Sequence, residues 1–411
     1  MQYYKEFVED AIRNYNSLDY EHIDLYKKYS VSIPTDIGMK GTQDISAEDE
    51  VNDFVEKLGV RFDAIISDAF CRSGSESVRI LKAEEVGKDI IEGKIFKSSE
   101  DKLAAFINAT ASRFVVIDAK SGEKSLNILV YTKSTMPVQF IVNVGEGAKL
   151  ELFEFHASKA ESQIVSPTLH EIVLGKEARA EIDIVHDEDE RTSAIGMLKS
   201  VAAERSRLKV NFVYNGGAAT KARSLMLADG LSSEITVNEI AFGNKEQKFD
   251  LYNYMINSKP YTTALLESGA VLDGSAQCML KGYAKVANGT KAANSRITER
   301  GILLSPDAHI DALPDMSIDY SDEVKATHSA ATAPIDSEAI FYLTSRGISE
   351  ESARKLFITA FIAKYLSNMD NGIAKEVAMS LMLNKLENGT FGNAHEISAK
   401  GIWAVPGKKR R

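Results

Sequence analysis

The middle of the chain, from about residue 114 to residue 324, alternates apolar and polar positions with a period of two. The clearest runs cover residues 128–131, 138–144, 150–155, 180–185, 208–213 and 235–240, and they are rich in β-branched and aromatic residues. The last four runs begin 30, 28 and 27 residues apart, and each follows a turn-like segment. A repeat of strands and turns without helix favours the rungs of a parallel β-helix. A β-sandwich is the alternative, although its hairpins would be spaced more closely.

Helical periodicity replaces this alternation on both sides. Near the N-terminus, Tyr4, Val8, Ile12 and Tyr15 recur every three or four residues and predict an amphipathic helix. A second helix is predicted to start at Ser46, where carboxylates follow in the first turn. The chain is therefore predicted to contain a mainly helical region over 1–112, a β-helix core over 113–333 and a helical domain over 334–411.

The C-terminal region predicts a helical hairpin. Ser349 can cap a helix that runs to about Met369, the pair Asn371-Gly372 interrupts it, and a second helix stops at Asn388-Gly389. Because this hairpin follows the last rung, we expect that it can cap the open end of the solenoid.

Composition and motif content exclude several classes of function. The net charge of −10 argues against nucleic-acid binding, and the basic run 408–411 is expected to be a solvated tail. The chain has no phosphate-binding loop for nucleotide hydrolysis, and Cys71 and Cys278 cannot provide four thiolates for a cluster. No apolar stretch approaches 18 residues and the N-terminus lacks a signal-peptide layout, so we expect a soluble cytoplasmic protein.

One segment near the C-terminus is more specific. Asp322-Glu-Val-Lys-Ala-Thr-His328 is followed by Ile340-Phe-Tyr-Leu-Thr-Ser-Arg-Gly-Ile348. This order resembles the C-terminal part of the SufB/SufD family, the β-helical scaffold proteins of the Suf iron–sulfur cluster assembly system. In that family the motif marks the exit from a right-handed parallel β-helix into a helical domain. The resemblance therefore implies a mainly β fold flanked by helical regions.

The departures from the family pattern make the chain look SufD-like rather than SufB-like. Ala326 stands where SufD-like chains often have a cysteine, and Ser329 stands where SufB-like chains have a glutamate. The stretch 304–309 lacks the cysteine of SufB-like chains. The resemblance implies a non-enzymatic scaffold with a SufC-type ABC ATPase as partner. It also implies pairing with a SufB-like chain or with itself, a choice that the sequence leaves open.

The resemblance also assigns candidate site residues. His328 is the candidate for cluster or metal binding, because in SufD-like members this histidine lies at the SufB–SufD interface, where the nascent cluster is thought to form. No tightly bound cofactor is expected, and any cluster would be transient. The dimer-interface candidates are Ala326, Thr327, Ser329, His309 and Asp311. The ATPase-binding candidates are Phe341, Tyr342, Arg346, Gly347, Leu356 and Phe357.

Each candidate also has a simpler structural interpretation. A lone histidine at a strand end is commonly just hydrogen-bonded, and the aromatic residues after it can attach the helical hairpin to the β-helix. His309 and Asp311 can be an ordinary surface pair. Residues 186–190 are expected to form a solvated acidic turn rather than a cation site. Cys278 is expected to be buried, and Cys71 is expected to be structural or incidental.

Two other classes of function remain open from sequence alone. A β-helical polysaccharide lyase or hydrolase could use Asp311, Asp315, Asp319 and Lys325 along one groove. A purely structural solenoid adaptor would require no chemistry from His328. Whether the chain itself binds iron, and which residue would receive sulfur, cannot be derived from the sequence.

Overall fold

The protein is a parallel β-solenoid, mainly β in content, with helices at both ends. The computed structural model describes residues 2–19 and 46–394. Along the chain, successive strands alternate between two facing sheets, so that each pair of strands makes one coil, and about eight coils stack in total. The predicted β-helix is thereby confirmed and the β-sandwich alternative is wrong. The basic run at 408–411 lies outside the described residues.

The first sheet contains ten strands, of which all but one neighbouring pair are parallel. In spatial order they are β2 (Cys71–Ser73), β1 (Ala64–Ser67), β5 (Glu123–Thr132), β7 (Lys149–Ser158), β9 (Arg179–Asp187), β11 (Arg207–Tyr214), β13 (Glu234–Gly243), β15 (Thr263–Leu272), β17 (Asn294–Leu303) and β20 (Lys325–Pro334).

The second sheet faces the first and supplies the other half of each coil. Its order is β18 (His309–Ala312), β16 (Gln277–Val286), β14 (Lys248–Asn257), β12 (Ala219–Ala228), β10 (Thr192–Ala202), β8 (Ile164–Leu174), β6 (Val138–Val144), β4 (Arg113–Ala119) and β3 (Val78–Lys82), with β19 (Asp315–Ile318) also paired to β16. The solenoid thus starts before residue 113, because β1 to β3 extend both sheets into the N-terminal region.

The coils stack in register, so that residues at the same inward position of successive strands form columns along the solenoid. Parallel strands in register place partner side chains on the same side, so each inward residue stacks on its counterpart one coil away. One column of the first sheet consists of Leu126, Leu152, Ile182, Val210, Val237, Leu266 and Ile297. All seven are buried in the main hydrophobic core. The apolar half of the sequence alternation is therefore the inside of the solenoid.

The turns between sheets carry a second repeating feature. Glu177, Arg205, Ser232, Tyr261 and Ala292 each adopt a positive φ of 53–60°. The backbone N–H of each donates to a carbonyl oxygen in the next coil, at 2.8–3.1 Å. These left-handed residues are not glycine, so each turn accepts backbone strain in order to make a coil-to-coil hydrogen bond.

The helices pack against the outer faces of the two sheets. They are α1 (Gln2–Ser17), α2 (Ser46–Leu58), α3 (Lys88–Glu92), α4 (Lys102–Thr110), α5 (Ser337–Ser345), α6 (Glu350–Leu366) and α7 (Gly372–Asn388), with a short 3-10 turn at Ala83–Glu85. The helix starts predicted at Ser46 and Ser349 are confirmed, and Ser349 caps α6 by accepting from the N–H of Ser352. Among the described residues, no helix is long and apolar enough to span a membrane.

The C-terminal hairpin of α6 and α7 does not cap the solenoid, contrary to the expectation from its position in the chain. Its apolar side, including Ile358, Ile362 and Leu381, packs on the outer face of the first sheet against Phe153 and Val213. That outer face is apolar, so docking there buries the apolar side of the hairpin, and no described residue after Pro334 covers the last coil.

A buried lysine fixes the second helix of the hairpin to the solenoid. Lys385 is 2% exposed, and its ammonium donates to the carbonyl oxygens of Asn215 and Phe242 and to Oε1 of Gln247. Burial lowers the pKa of Lys385 well below its ordinary value. These contacts bridge two neighbouring coils, so α7 acts as a brace across the stack.

Candidate functional site

The last coil ends in an unpaired strand. Strand β20 pairs with β17 on one side, and within the described part of the chain it has no strand on its other side. The N–H of Lys325 donates to the Ala293 carbonyl, so odd-numbered residues of β20 bond to β17. The N–H and C=O groups of Ala326, His328, Ala330 and Thr332 therefore face the free edge. Nine of the ten residues of β20 are exposed, and the eight that follow Ala326 form an unbroken exposed run.

His328 stands at the end of the apolar column. It is the register partner of Ile297, so it occupies the inward position that seven aliphatic residues fill in the preceding coils. His328 is nevertheless exposed, because no further coil lies above it among the residues described. The imidazole has no hydrogen-bond partner in that part of the chain. The structure therefore presents this histidine at the open end instead of using it to satisfy a strand terminus.

The other interface candidates also lie on the last coil, but on different faces. Ala326 shares the inward side with His328, whereas Thr327 and Ser329 are exposed on the outer side. His309 and Asp311 lie on β18, the terminal strand of the second sheet, and His309 Nε2 is 3.1 Å from Asp311 Oδ1. Because Ile310 between them points inward, this pair faces outward, away from the core.

The ATPase-binding candidates form an exposed apolar surface on α5 and α6. Phe341, Tyr342 and Leu356 are 74%, 58% and 53% exposed, which is unusual for side chains of this size. The Arg346 guanidinium lies 5.3 Å from the centre of the Tyr342 ring, and Gly347 ends α5 with a φ of +88°. Phe357 is half-buried. Phe341 and Tyr342 therefore do not attach the hairpin to the solenoid.

Sequence reasoning missed a set of polar residues inside the solenoid. Glu154 and His156 on β7, His170 on β8 and His186 on β9 all point inward, and Glu188 follows directly after β9. Each of the five is at most 5% exposed. The expectation of a solvated acidic turn at 186–190 is wrong for its first three residues, because His186, Asp187 and Glu188 are buried between coils.

These five side chains are in close contact. Glu154 Oε2 lies 2.8 Å from His170 Nε2 and 3.4 Å from His156 Nε2, and Glu188 Oε1 lies 2.7 Å from His186 Nδ1. Burial opposes ionisation of Glu154, but attraction from His170 and hydrogen bonds to both imidazoles outweigh it, and its pKa falls to about 2. The interior therefore holds a carboxylate at neutral pH.

The polar interior continues toward the open end. Glu239, Ser268, Glu299 and Ala330 occupy one inward column on successive coils. Glu239 accepts hydrogen bonds from Asn253 at 3.1 Å and from Ser268 at 2.9 Å. Burial raises the pKa of Glu239 to about 7 and that of Glu299 to about 8. A protonated or titrating carboxyl group thus lies directly beneath the last strand.

A signal for these residues was present in the sequence. Leu150 and Leu152 belong to an alternating run, and continuing the same alternation places Glu154 and His156 on the inward side. The alternation alone did not indicate that these residues meet His170, because His170 comes from the opposite sheet.

The remaining candidates have ordinary surroundings. Cys278 is buried as predicted, and burial raises the pKa of its thiol well above the usual value. Cys71 is half-buried. Of the acidic residues considered for glycan cleavage, Asp319 forms an ion pair with Lys285 at 3.2 Å.

Comparison of the sequence with known proteins places the chain in a family. The sequence profile of the SufBD core domain, described as SUF system FeS cluster assembly, matches residues 129–361. The iron–sulfur cluster assembly protein SufD of Escherichia coli is 27% identical over 163 residues, which cover 39% of this chain and 38% of that protein. SufD of Bacillus subtilis is 28% identical over 178 residues, or 43% and 40% of the two chains. The matches thus span about two fifths of these relatives.

Glu299 generates a prediction about stability and pH. Its carboxyl has a pKa of about 8 in the folded protein against an ordinary value of 4.5, so the folded state holds a proton that the unfolded state releases. The free energy of unfolding should therefore fall as pH rises from about 5 to 8, at up to about 1.4 kcal/mol per pH unit from this group. We expect Glu299→Gln to reduce that slope in urea unfolding measured at several pH values.

The exposed Glu246 provides the matched control for this experiment. Glu246→Gln should leave the pH dependence of the unfolding free energy as it is in the unmodified chain. Parallel profiles for Glu299→Gln and the unmodified chain would show that Glu299 is ionised in the folded state.

Proposed function

Because the chain belongs to the SufB/SufD family of iron–sulfur cluster assembly proteins, we propose that it is a SufD-like scaffold subunit that works through two surfaces. One surface is the open end of the solenoid around β20, which pairs with a second scaffold chain. The other is the exposed apolar patch on α5 and α6, which binds a SufC-type ABC ATPase. The observation that carries the proposal is the unpaired last strand with His328 at its inward face.

The edge of β20 favours strand pairing. Proteins usually protect long edge strands with charges, bulges or covering segments. Here ten residues, Lys325–Pro334, form an exposed edge composed mostly of alanine, threonine and serine. Pro334 is even-numbered, so its missing N–H costs no bond to β17. A second scaffold chain, either another copy or a SufB-like protein, would satisfy the free backbone groups by adding a strand.

Pairing at this edge would bring His328 to a subunit interface. Imidazole binds iron as a neutral ligand, and it needs no deprotonation near neutral pH. The two cysteines of this chain lie elsewhere, Cys278 being buried in the core, so thiolate ligands would come from the partner. Iron and sulfide are therefore the cargo of the paired interface, and this chain contributes an imidazole and a rigid support.

The position of the exposed apolar patch on α5 and α6 is suited to a partner that moves these helices. Phe341, Tyr342 and Leu356 are exposed, whereas Ile358 and Ile362 on the other side of α6 are buried against the first sheet. A partner bound to the exposed side would thus move helices that are packed directly on the solenoid. Closure of two ATPase subunits would rearrange the paired solenoids and expose the interface where the cluster assembles. The free energy comes from the ATPase, since the sequence has no phosphate-binding loop.

The pairing part of the proposal is tested by Ala330→Pro. Proline at this position removes an N–H that faces the free edge and leaves the hydrogen bonds to β17 intact. We expect weaker pairing by roughly tenfold or more, from the lost hydrogen bond and the bulk of the ring. Light scattering measures self-pairing, and co-purification measures pairing with the host's SufB-like chain.

Lys325→Ala is the control for pairing, because it changes an exposed outward side chain on the same strand and leaves every backbone group in place. Its effect should stay within about twofold. If Ala330→Pro pairs as well as the unmodified chain and has the same unfolding midpoint, β20 is not the pairing edge.

The role of His328 is tested in the host. His328→Ala should lower the activity of iron–sulfur enzymes without weakening pairing, since only the inward side chain changes. Lys325→Ala, an exposed outward change on the same strand, should leave those activities unaltered. Equal enzyme activities in both variants would favour the purely structural adaptor.

The ATPase patch is tested by replacing Phe341, Tyr342 and Leu356 together with alanine. Truncating well-packed interface anchors typically costs about 2 kcal/mol each, so retention of the host's SufC-like ATPase should fall by at least roughly thirtyfold. Leu231→Ala removes an exposed leucine (45% exposed) from a turn of the solenoid and should have no effect. ATPase binding that survives the triple substitution, measured by co-purification, would contradict this part of the proposal.

A further inference from the structure

The buried histidines and glutamates inside the solenoid have the composition of a metal site. Glu154, His156 and His170 bring one ligand atom each within 4.8 Å of one another, and so do His156, His186 and Glu188. Two imidazoles and one carboxylate form the donor set typical of divalent first-row transition metals. The two triads share His156, and neither contains a residue of the proposed pairing surface.

We propose that Glu154, His156 and His170 bind a divalent first-row transition-metal ion inside the solenoid. Metal–ligand bonds of about 2.1 Å place neighbouring ligand atoms roughly 3 Å apart. Glu154 Oε2 meets this requirement toward both imidazoles, at 2.8 Å and 3.4 Å. The ligands come from β7 and β8, which belong to opposite sheets, so the ion would tie the two halves of a coil together.

Unpaired buried atoms support a ligand at this point. Within residues 2–19 and 46–394, Glu154 Oε1, His156 Nδ1 and Glu188 Oε2 are buried and have no hydrogen-bond partner. Leaving such atoms unpaired is costly, particularly on a carboxylate. Glu154 and His156 are 0% and 1% exposed, so bulk solvent does not satisfy them. A metal ion and its remaining ligands would use this capacity.

The charges are consistent with a divalent cation. Glu154 and Glu188 are 0% and 1% exposed and contact the three histidines, so two carboxyl groups lie inside the core at this point. Buried anions require compensating positive charge nearby. A divalent ion balances both carboxylates and leaves the imidazoles neutral, which is the form in which they bind metals.

Stacked rings hold two of the proposed ligands in place, and a cavity beside one of them is large enough for a water molecule. The His170 ring is stacked on Phe140 at 4.6 Å, and the His156 ring is stacked on His186 at 4.5 Å, so both rings are held in place. A cavity of about 20 Å³ lies between the two sheets and is lined by His170 and His186, among other residues. That volume is enough for one water molecule. A water molecule in this cavity would lie beside His170, one of the three proposed ligands.

The test is metal binding by the isolated full-length chain. The chain is produced without a polyhistidine tag, treated with a chelator, and titrated with Zn(II), with Co(II) as a spectroscopic probe. We expect one ion per chain, Co(II) absorption bands of a site with nitrogen and oxygen ligands, and a higher unfolding midpoint with Zn(II). Absence of binding, or binding without any change in the unfolding midpoint, would overturn the proposal.

Two variants locate the ion. His170→Gln removes a ligand found only in the assigned triad, and we expect the affinity for Zn(II) to fall by more than the roughly 10- to 100-fold known for groups that merely orient ligands. His186→Gln removes a ligand of the other triad, and its affinity should stay within about tenfold of the unmodified chain. Loss of binding in His186→Gln would overturn the assignment to Glu154, His156 and His170.

Folding and surface binding are controlled separately. Glu154→Gln has nearly the same shape as the original residue, so it should lose Zn(II) while circular dichroism shows a folded chain. The double variant His309→Ala with His328→Ala removes the exposed imidazoles of the last coil and should bind one ion as before. Zn(II) binding that is lost in the double variant and retained in Glu154→Gln would place the metal on the surface. Because this experiment needs neither partner nor ATPase, its outcome is independent of the proposed scaffold function.

Discussion

The structure depends on one constraint, the register between parallel strands of successive coils. Each inward side chain is covered by the residue at the same position one coil further along, as in the column from Leu126 to Ile297. The same register lets each turn donate a backbone N–H to the next turn. Every coil offers a surface on which a further coil can stack, so the repeat itself does not determine where the stack ends. Its last coil must therefore be capped, blocked or used.

Within residues 2–19 and 46–394, nothing caps or blocks the last coil. The C-terminal hairpin does not cover it, because the apolar side of α6 and α7 is buried against the apolar outer face of the first sheet. Strand β20 consequently keeps its free edge, and His328 takes the inward position where another aliphatic residue would extend the core. The pairing that we propose depends on this arrangement. Because α6 and α7 are packed on the first sheet, a force applied to these helices would also act on the solenoid.

The interior of the solenoid is more polar than its construction requires. Glu154, Glu239 and Glu299 occupy inward positions in a core built largely from aliphatic and aromatic side chains. Burying a carboxyl group opposes its ionisation, and the three groups respond differently. Imidazoles keep Glu154 ionised, whereas Glu239 and Glu299 have pKa values raised to about 7 and about 8. Burying a carboxyl group costs free energy, so its recurrence at several coils points to a use for the interior beyond holding the sheets together.

The sequence by itself determined the repeat, the class of fold and the family. Period-two alternation and a repeat of 27 to 30 residues are local properties, and they identify strands and turns without knowledge of the partner strands. The motif around His328 and the caps at Ser349 and Asn388-Gly389 are equally local, and the helix bounds agree with them. Only the tertiary structure decided where the hairpin docks, which residues of opposite sheets meet, and that residues 186–188 are buried. Those outcomes depend on contacts between residues far apart in the chain, such as Glu154 with His170 and Lys385 with Phe242, and alternation fixes the side of a strand but not what lies across from it.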